Sequence, residues 1–120
     1  MNLEFATIRT SDLAAALNFY QGALGLNIDR RFQAGPNEIV FLAAGGIQLE
    51  LVAGPESGEK RAGDNLSLGF AVEDLDSTLA GLAEAGITPV SGPVSPNPHV
   101  RFALIRDPDG VLIQLTEHLA

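Results

Sequence analysis

The residue types that usually do chemistry are sparse in this chain, and their positions narrow what it can do. Cysteine is absent, which excludes disulfides, thiolate metal sites and cysteine nucleophiles. There are two histidines. His118 lies near the C-terminal end and reads as a surface residue. His99 follows a proline-rich run and stands where an accessible imidazole can meet a ligand. Glu50, in GIQLEL, can serve as a general base or as a metal ligand. Gln114, in the similar stretch GVLIQL, and Ser67 offer neutral hydrogen-bonding groups. Arg101 alternates with His99 and can pair with Glu50 or with an anionic ligand group. Ser67 has no nearby histidine and no nucleophile elbow, so serine catalysis lacks support. Neither glycine pattern of a phosphate-binding loop occurs.

Charge restricts the partners. Fifteen acidic residues against seven basic ones give a net charge of −8. Such a surface repels phosphate backbones and anionic lipids, so neither nucleic acid nor membrane is an expected partner, whereas a cationic ligand is attracted. A hydrophobic content of 46% suits an ordinary core, and 120 residues suffice for one domain. No apolar run approaches the roughly 20 residues that span a bilayer. The opening MNLEFATIRTSD lacks a basic region followed by an apolar block, so a cytoplasmic location is expected.

The elements that must position these residues occur twice. FATIRTSDLAAALNFYQGALGL, starting at Phe5, is answered by SLGFAVEDLDSTLAGLAEAGI, starting at Ser67. Asp12 aligns with Asp74, an offset of 62, and Ile8, Thr10, Leu13 and Leu17 then face Phe70, Val72, Leu75 and Leu79. The ends of the two copies also match, Gly46 with Gly110, an offset of 64. Two ordered matches at nearly equal offsets point to an internal repeat.

Each copy reads as strand, helix and three strands. Residues 3–10 alternate and carry Phe, Ile and Thr, a strand signature. Ser11 and Asp12 can cap a helix whose apolar stripe is Leu13, Ala16, Leu17, Tyr20 and Leu24, with Gly25 as its terminator. Strands are expected at 26–34, 38–43 and 46–53, followed by a polar, breaker-rich linker at 54–65. The second copy predicts a strand at 66–73, a helix at 74–85 closed by Gly86, and strands at 87–91, 99–106 and 111–117. Between the second and third of these four strands, Pro93, Pro96 and Pro98 predict an extended loop. Asp107-Pro108-Asp109-Gly110 predicts a tight turn.

Alternation sorts each strand into two faces. Leu66, Leu68, Phe70 and Val72 are expected under the helices, with Ser67, Gly69 and Ala71 opposite. Ala6 and Ile8 oppose Phe5, Thr7 and Arg9 in the same way. Ile47, Leu49 and Leu51 oppose Gln48 and Glu50, and Ile113 and Leu115 oppose Gln114. The repeat thus aligns Phe5 with Ser67 and Glu50 with Gln114, all four on the helix-free face. Phe32 and Phe41 can add an apolar wall that stacks on a planar ligand.

These motifs, with RDPDGVLIQLTEH closing the chain, resemble the vicinal oxygen chelate superfamily of glyoxalases, extradiol dioxygenases and bleomycin-resistance proteins over nearly the whole sequence. The resemblance implies an α+β fold in which two tandem βαβββ modules form a curved eight-stranded mixed sheet with a ligand cleft on its helix-free face. It further implies a homodimer. In metal-dependent members, His or Glu on the first and last strand of each module bind a divalent ion. Those positions fall here on Phe5, Glu50, Ser67 and Gln114, of which only Glu50 is a good ligand. The expected function is therefore metal-independent binding of a small molecule, cationic or aromatic, with no cofactor, as in the bleomycin-resistance branch. The expected ligand-binding residues are Phe5, Thr7, Phe32, Phe41, Glu50, Ser67, His99, Arg101 and Gln114. The alternative is a glyoxalase-like lyase, isomerase or dioxygenase. There Glu50 would be base or residual metal ligand, with Gln114, Ser67 or Arg101 holding a developing oxyanion.

Overall fold

In the computed structural model, which describes residues 1–55, 63 and 66–120, the repeat is realised as two units with the same element order. The first compact unit is Met1–Lys60 and the second Arg61–Ala120. Most of the expected linker at 54–65 lies outside the described residues.

The first unit contains β1 (Phe5–Arg9), α1 (Leu13–Leu17), β2 (Asn27–Ala34), β3 (Asn37–Ala44) and β4 (Ile47–Ala53). Its sheet runs β1-β4-β3-β2, with β1 parallel to β4 and the other pairs antiparallel. The second unit contains β5 (Ser67–Ala71), α2 (Leu75–Glu84), β6 (Ser91–Asn97), β7 (Val100–Arg106) and β8 (Leu112–His118). Its sheet repeats the order as β5-β8-β7-β6, with β5 parallel to β8. A parallel first and last strand needs a crossover, which is what the helix after the first strand of each module supplies.

Both helices start as their sequences predict. The Asp12 carboxylate accepts from the Ala15 N–H at 3.0 Å and the Asp74 carboxylate from the Ser77 N–H at 3.1 Å, each satisfying a donor the helix leaves open. A further carboxylate, Glu117 on β8, accepts from the Leu75 N–H at 2.6 Å and ties the start of α2 to its sheet. The helices end differently in length. Gly25 and Gly86 both take positive φ (76° and 81°), but Gly25 is thirteen residues beyond its cap and Gly86 twelve beyond its own. The first module absorbs the additional residue by widening: α1 runs directly into a π-helical turn at Asn18–Ala23, where the Leu24 N–H reaches Phe19 O at 2.9 Å. Phe19 and Tyr20 stay buried there, edge-to-face at 4.9 Å.

Each sheet buries one face. Val40, Leu42, Leu49 and Leu51, with Ile8 and Ala16, form the first core; Ala103, Ile105, Ile113 and Leu115, with Leu75 and Leu82, form the second. The register places Val40 opposite Leu51 and Leu42 opposite Leu49, so the core residues of neighbouring strands meet side by side.

Four expectations need correction. The proline-rich run is a strand, β6, and the strand expected at 87–91 does not form, residues 87–90 lying outside any strand and Ser91 opening β6. Only Ser91, Val94 and Asn97 register with β7, since proline has no N–H to give the ladder and is tolerated where a strand has a free edge. His99 lies in the β6–β7 turn, where its N–H donates to Asn97 Oδ1 at 2.8 Å, and is not the first residue of a strand. Leu66 precedes β5 and is 71% exposed, outside the core face assigned to it. Arg101 faces α2 and not the helix-free side, because it registers with Glu117 while its neighbours Val100 and Phe102 register with His118 and Thr116. The turn at Asp107–Gly110 forms as predicted, with the Asp107 carboxylate accepting from the N–H groups of Asp109 and Val111, each at 2.8 Å.

Candidate functional site

The helix-free face of the first sheet is built of three rows that cross the strands. The central row is Arg30 on β2, Phe41 on β3, Glu50 on β4 and Thr7 on β1, each in register with the next. On one side run Phe32, Ile39, Val52 and Arg9, and on the other Ala43, Gln48 and Phe5. A one-residue register shift between Ile28 and Arg30 sets this phase on β2 and brings Arg30 and Phe32 to the face. Five expected site residues, Phe5, Thr7, Phe32, Phe41 and Glu50, therefore share one surface.

Three phenylalanines form its apolar part. Phe41, 6% exposed, is the floor, and Phe5 meets it edge-on with centroids 5.6 Å apart and planes at 89°. Phe32 lies nearly parallel to Phe41 at 6.3 Å and 18°. Phe5 and Phe32 are 41% and 42% exposed, so their outer surfaces remain open to an aromatic ligand. Polar groups border this patch. Thr7 Oγ1 donates to Glu50 Oε1 at 2.6 Å, which fixes the carboxylate and leaves Oε2 without a donor among the described residues. The Gln48 amide donates to the Asp29 carboxylate.

Arg30 completes the arrangement, and sequence reasoning missed it. Its guanidinium carbon lies 4.4 Å from the Phe41 centroid and 5.9 Å from that of Phe32. The residue was hidden because β2 contains the adjacent pair Arg30 and Arg31 and the register shift decides which one faces the aromatic rings. Arg31 points to the opposite side and pairs with Glu38 at 2.6 Å. An Arg-x-Phe spacing at positions 30 and 32, which puts both side chains on one strand face, was the available signal.

An open depression of about 800 Å³ borders the third row, lined by residues including Asn2, Glu4, Asp29, Gly46 and Gln48. No phenylalanine lines it, so the aromatic face and not this depression is the candidate site.

In the second unit the helix-free face carries Gln114, registered with Leu104 on β7 and with Gly69 on β5. The Gln114 amide donates to Thr116 Oγ1 at 3.1 Å. Ser67 starts β5 and is exposed. Arg101 is engaged elsewhere, donating through both terminal nitrogens to Asp76 of α2 at 3.1 and 3.3 Å. The hydrogen bonds to Asp76, and then its negative charge, hold the guanidinium more firmly protonated than usual.

Residues 2–115 match the family model described as Glyoxalase/Bleomycin resistance protein/Dioxygenase superfamily. The chain belongs to this superfamily. Among solved structures it is similar to the trypanothione-dependent glyoxalase I of Leishmania major, with 22% identity, a TM-score of 0.83 and coverage of 98% of this chain and 86% of the other. It is also similar to TnmS3, an antibiotic-binding protein of a Streptomyces species, with 24% identity, a TM-score of 0.78 and coverage of 98% and 96%. A glyoxalase family protein of Bacillus cereus gives 24% identity, a TM-score of 0.85 and coverage of 100% and 95%. At these identities the likeness is one of fold. No curated protein matches the chain.

The metal site of the glyoxalase superfamily can be tested against the donors this member carries. Of the four positions that the resemblance aligns with metal ligands, Phe5 has no side-chain donor atom and Ser67 and Gln114 carry neutral oxygen or nitrogen groups, which leaves Glu50 as the one strong ligand. Among the described residues no three His, Cys, Asp or Glu side chains gather as a metal site would require. A catalytic divalent ion takes about three protein ligands, so the donor set does not fit one.

Proposed function

We propose that this member of the superfamily is a metal-independent binding protein that sequesters a small, flat aromatic compound on the helix-free face of its first module. The observation that carries the reading is the aromatic cluster at the first-module metal positions, where Phe5 stands edge-on to Phe41 beside a Glu50 carboxylate fixed by Thr7. Binding requires shape, apolar surface and a few placed polar groups, and none of these depends on a metal. The net charge of −8 favours a ligand with a cationic group, for which Glu50 Oε2 is an acceptor. That a solved protein of the same fold is an antibiotic-binding protein agrees with the reading. Gln114 and Ser67, on the helix-free face of the second module, are proposed as polar ligand contacts of that module. A homodimer in the cytoplasm completes the proposal.

Native mass spectrometry with metal analysis of the same sample tests this. The expected result is a metal-free dimer that takes up a planar aromatic cation. A stoichiometric divalent metal would overturn the proposal. Turnover that is lost in Glu50→Gln while ligand binding persists would instead establish the lyase, isomerase or dioxygenase reading, with Glu50 as its base.

A further inference from the structure

The central row of the first sheet carries opposite charges at a fixed separation. Arg30, Phe41 and Glu50 are successive in register on β2, β3 and β4. Two strand spacings place the Arg30 and Glu50 backbones about 10 Å apart, with the Phe41 ring between them. Both ends are primed for a ligand. Arg30 has no carboxylate within ion-pair distance and no hydrogen-bond acceptor among the described residues, unlike its neighbour Arg31, which is paired with Glu38. The guanidinium carbon lies over the Phe41 and Phe32 rings, which leave its five N–H donors without a carboxylate partner among the described residues. Those donors match the two oxygens of a carboxylate or a comparable acidic group. At the other end, Thr7 occupies Oε1 of Glu50 and leaves Oε2 as the acceptor.

We infer that the ligand of this face is amphoteric: a planar aromatic body lying on the exposed surfaces of Phe5 and Phe32, with an acidic group on Arg30 and a cationic or strongly donating group on Glu50. The inference rests on the sequestration reading and narrows it. A ligand that is only cationic leaves the Arg30 donors unused, and a ligand that is only anionic meets the Glu50 carboxylate. Arg9, which stands beside Val52 in the neighbouring row, is the other cation of this face without an ion pair among the described residues. It lies away from Phe41, and the same experiment separates it from Arg30.

Four probes with one ring system decide the matter: naphthalene, 2-naphthoate, 2-naphthamidine and 6-amidino-2-naphthoate, each titrated calorimetrically into the intact chain. The amphoteric probe is expected to bind tightest, at least about tenfold more tightly than either singly charged probe, since each charge-assisted hydrogen bond is worth about that factor. Arg30→Met keeps an unbranched apolar stem over the rings. It is expected to weaken the two carboxylate-bearing probes at least about tenfold more than the other two. Arg9→Met is expected to make no such distinction. Equal affinity of all four probes for the unmodified chain would overturn the amphoteric assignment and leave the sequestration reading standing. Selective loss of the carboxylate probes in Arg9→Met in place of Arg30→Met would also overturn it. Failure of all four probes to bind would overturn both.

Discussion

Phe41 holds two roles that the other site residues divide between them. It is buried against the sheet, and it is also the ring on which Phe5, Phe32 and Arg30 converge. Replacing it with alanine removes a buried ring and opens a cavity, so Phe41→Ala should lower unfolding free energy by about 3 kcal/mol in urea titration. Phe32 is 42% exposed and has less to lose, so Phe32→Ala should cost no more than about 1 kcal/mol. Both variants should weaken binding of a planar aromatic probe. If Phe32→Ala bound naphthamidine as well as the unmodified chain does, the exposed ring would be surface and not part of the site. Glu50 shows the same economy of partners on the polar side, with one oxygen held by Thr7 and the other open.

At the scale of elements, the two helices test how far local rules govern this fold. Gly81 lies in the middle of α2, exposed, with a φ in the ordinary negative range and open space where a Cβ would stand. Glycine there costs helix stability through backbone entropy alone, so Gly81→Ala should raise stability by about 0.5–1 kcal/mol. Gly86, just past the same helix, also has open space around it but takes a φ of 81°. Gly86→Ala should therefore destabilise, by about 1 kcal/mol, because the left-handed conformation crowds an added Cβ against the backbone. Urea titration of the two variants side by side checks the pair. An equal response would mean that these backbone conformations are not what distinguishes the two positions. The π-helical turn of the first module belongs to the same scale. One residue more between cap and terminator is accommodated by a wider turn, which keeps Phe19 and Tyr20 in the core.

For the whole molecule, the relevant quantity is the net charge of −8. Its field acts before any contact forms and is screened within about 10 Å at 0.1 M salt. The association rate of 2-naphthamidine should fall as salt rises, and that of 2-naphthoate should rise, when both are followed by stopped-flow fluorescence. Identical salt dependence for the two probes would show that the overall charge serves solubility and has no part in ligand capture. Among the described residues no helix is long and apolar enough to cross a membrane. The two-unit organisation itself follows from the repeat: each module pairs its own first and last strands in parallel and completes a four-stranded sheet within itself.

The sequence by itself determined the module order, both helix caps, the glycine terminators and most strand faces, because each depends on neighbours a few residues apart. Asp12 and Asp74 reach donors three residues ahead, and the alternation of Ile47, Leu49 and Leu51 is a property of the strand alone. It also determined that Phe5, Glu50, Ser67 and Gln114 stand at matching places in the two copies of the repeat, since that is a matter of residue identity and spacing. Only the tertiary structure decided the rest. Arg101 went to the helix side because pairing with β8 set its phase and Asp76 offered two acceptors from α2, neither of which periodicity can report. The proline run became β6 because an edge strand asks for few N–H donors, and whether a strand is an edge is known only once the sheet is assembled. Arg30 reached the aromatic face through an irregularity between Ile28 and Arg30, and a shift of one residue exchanges the two sides of a strand.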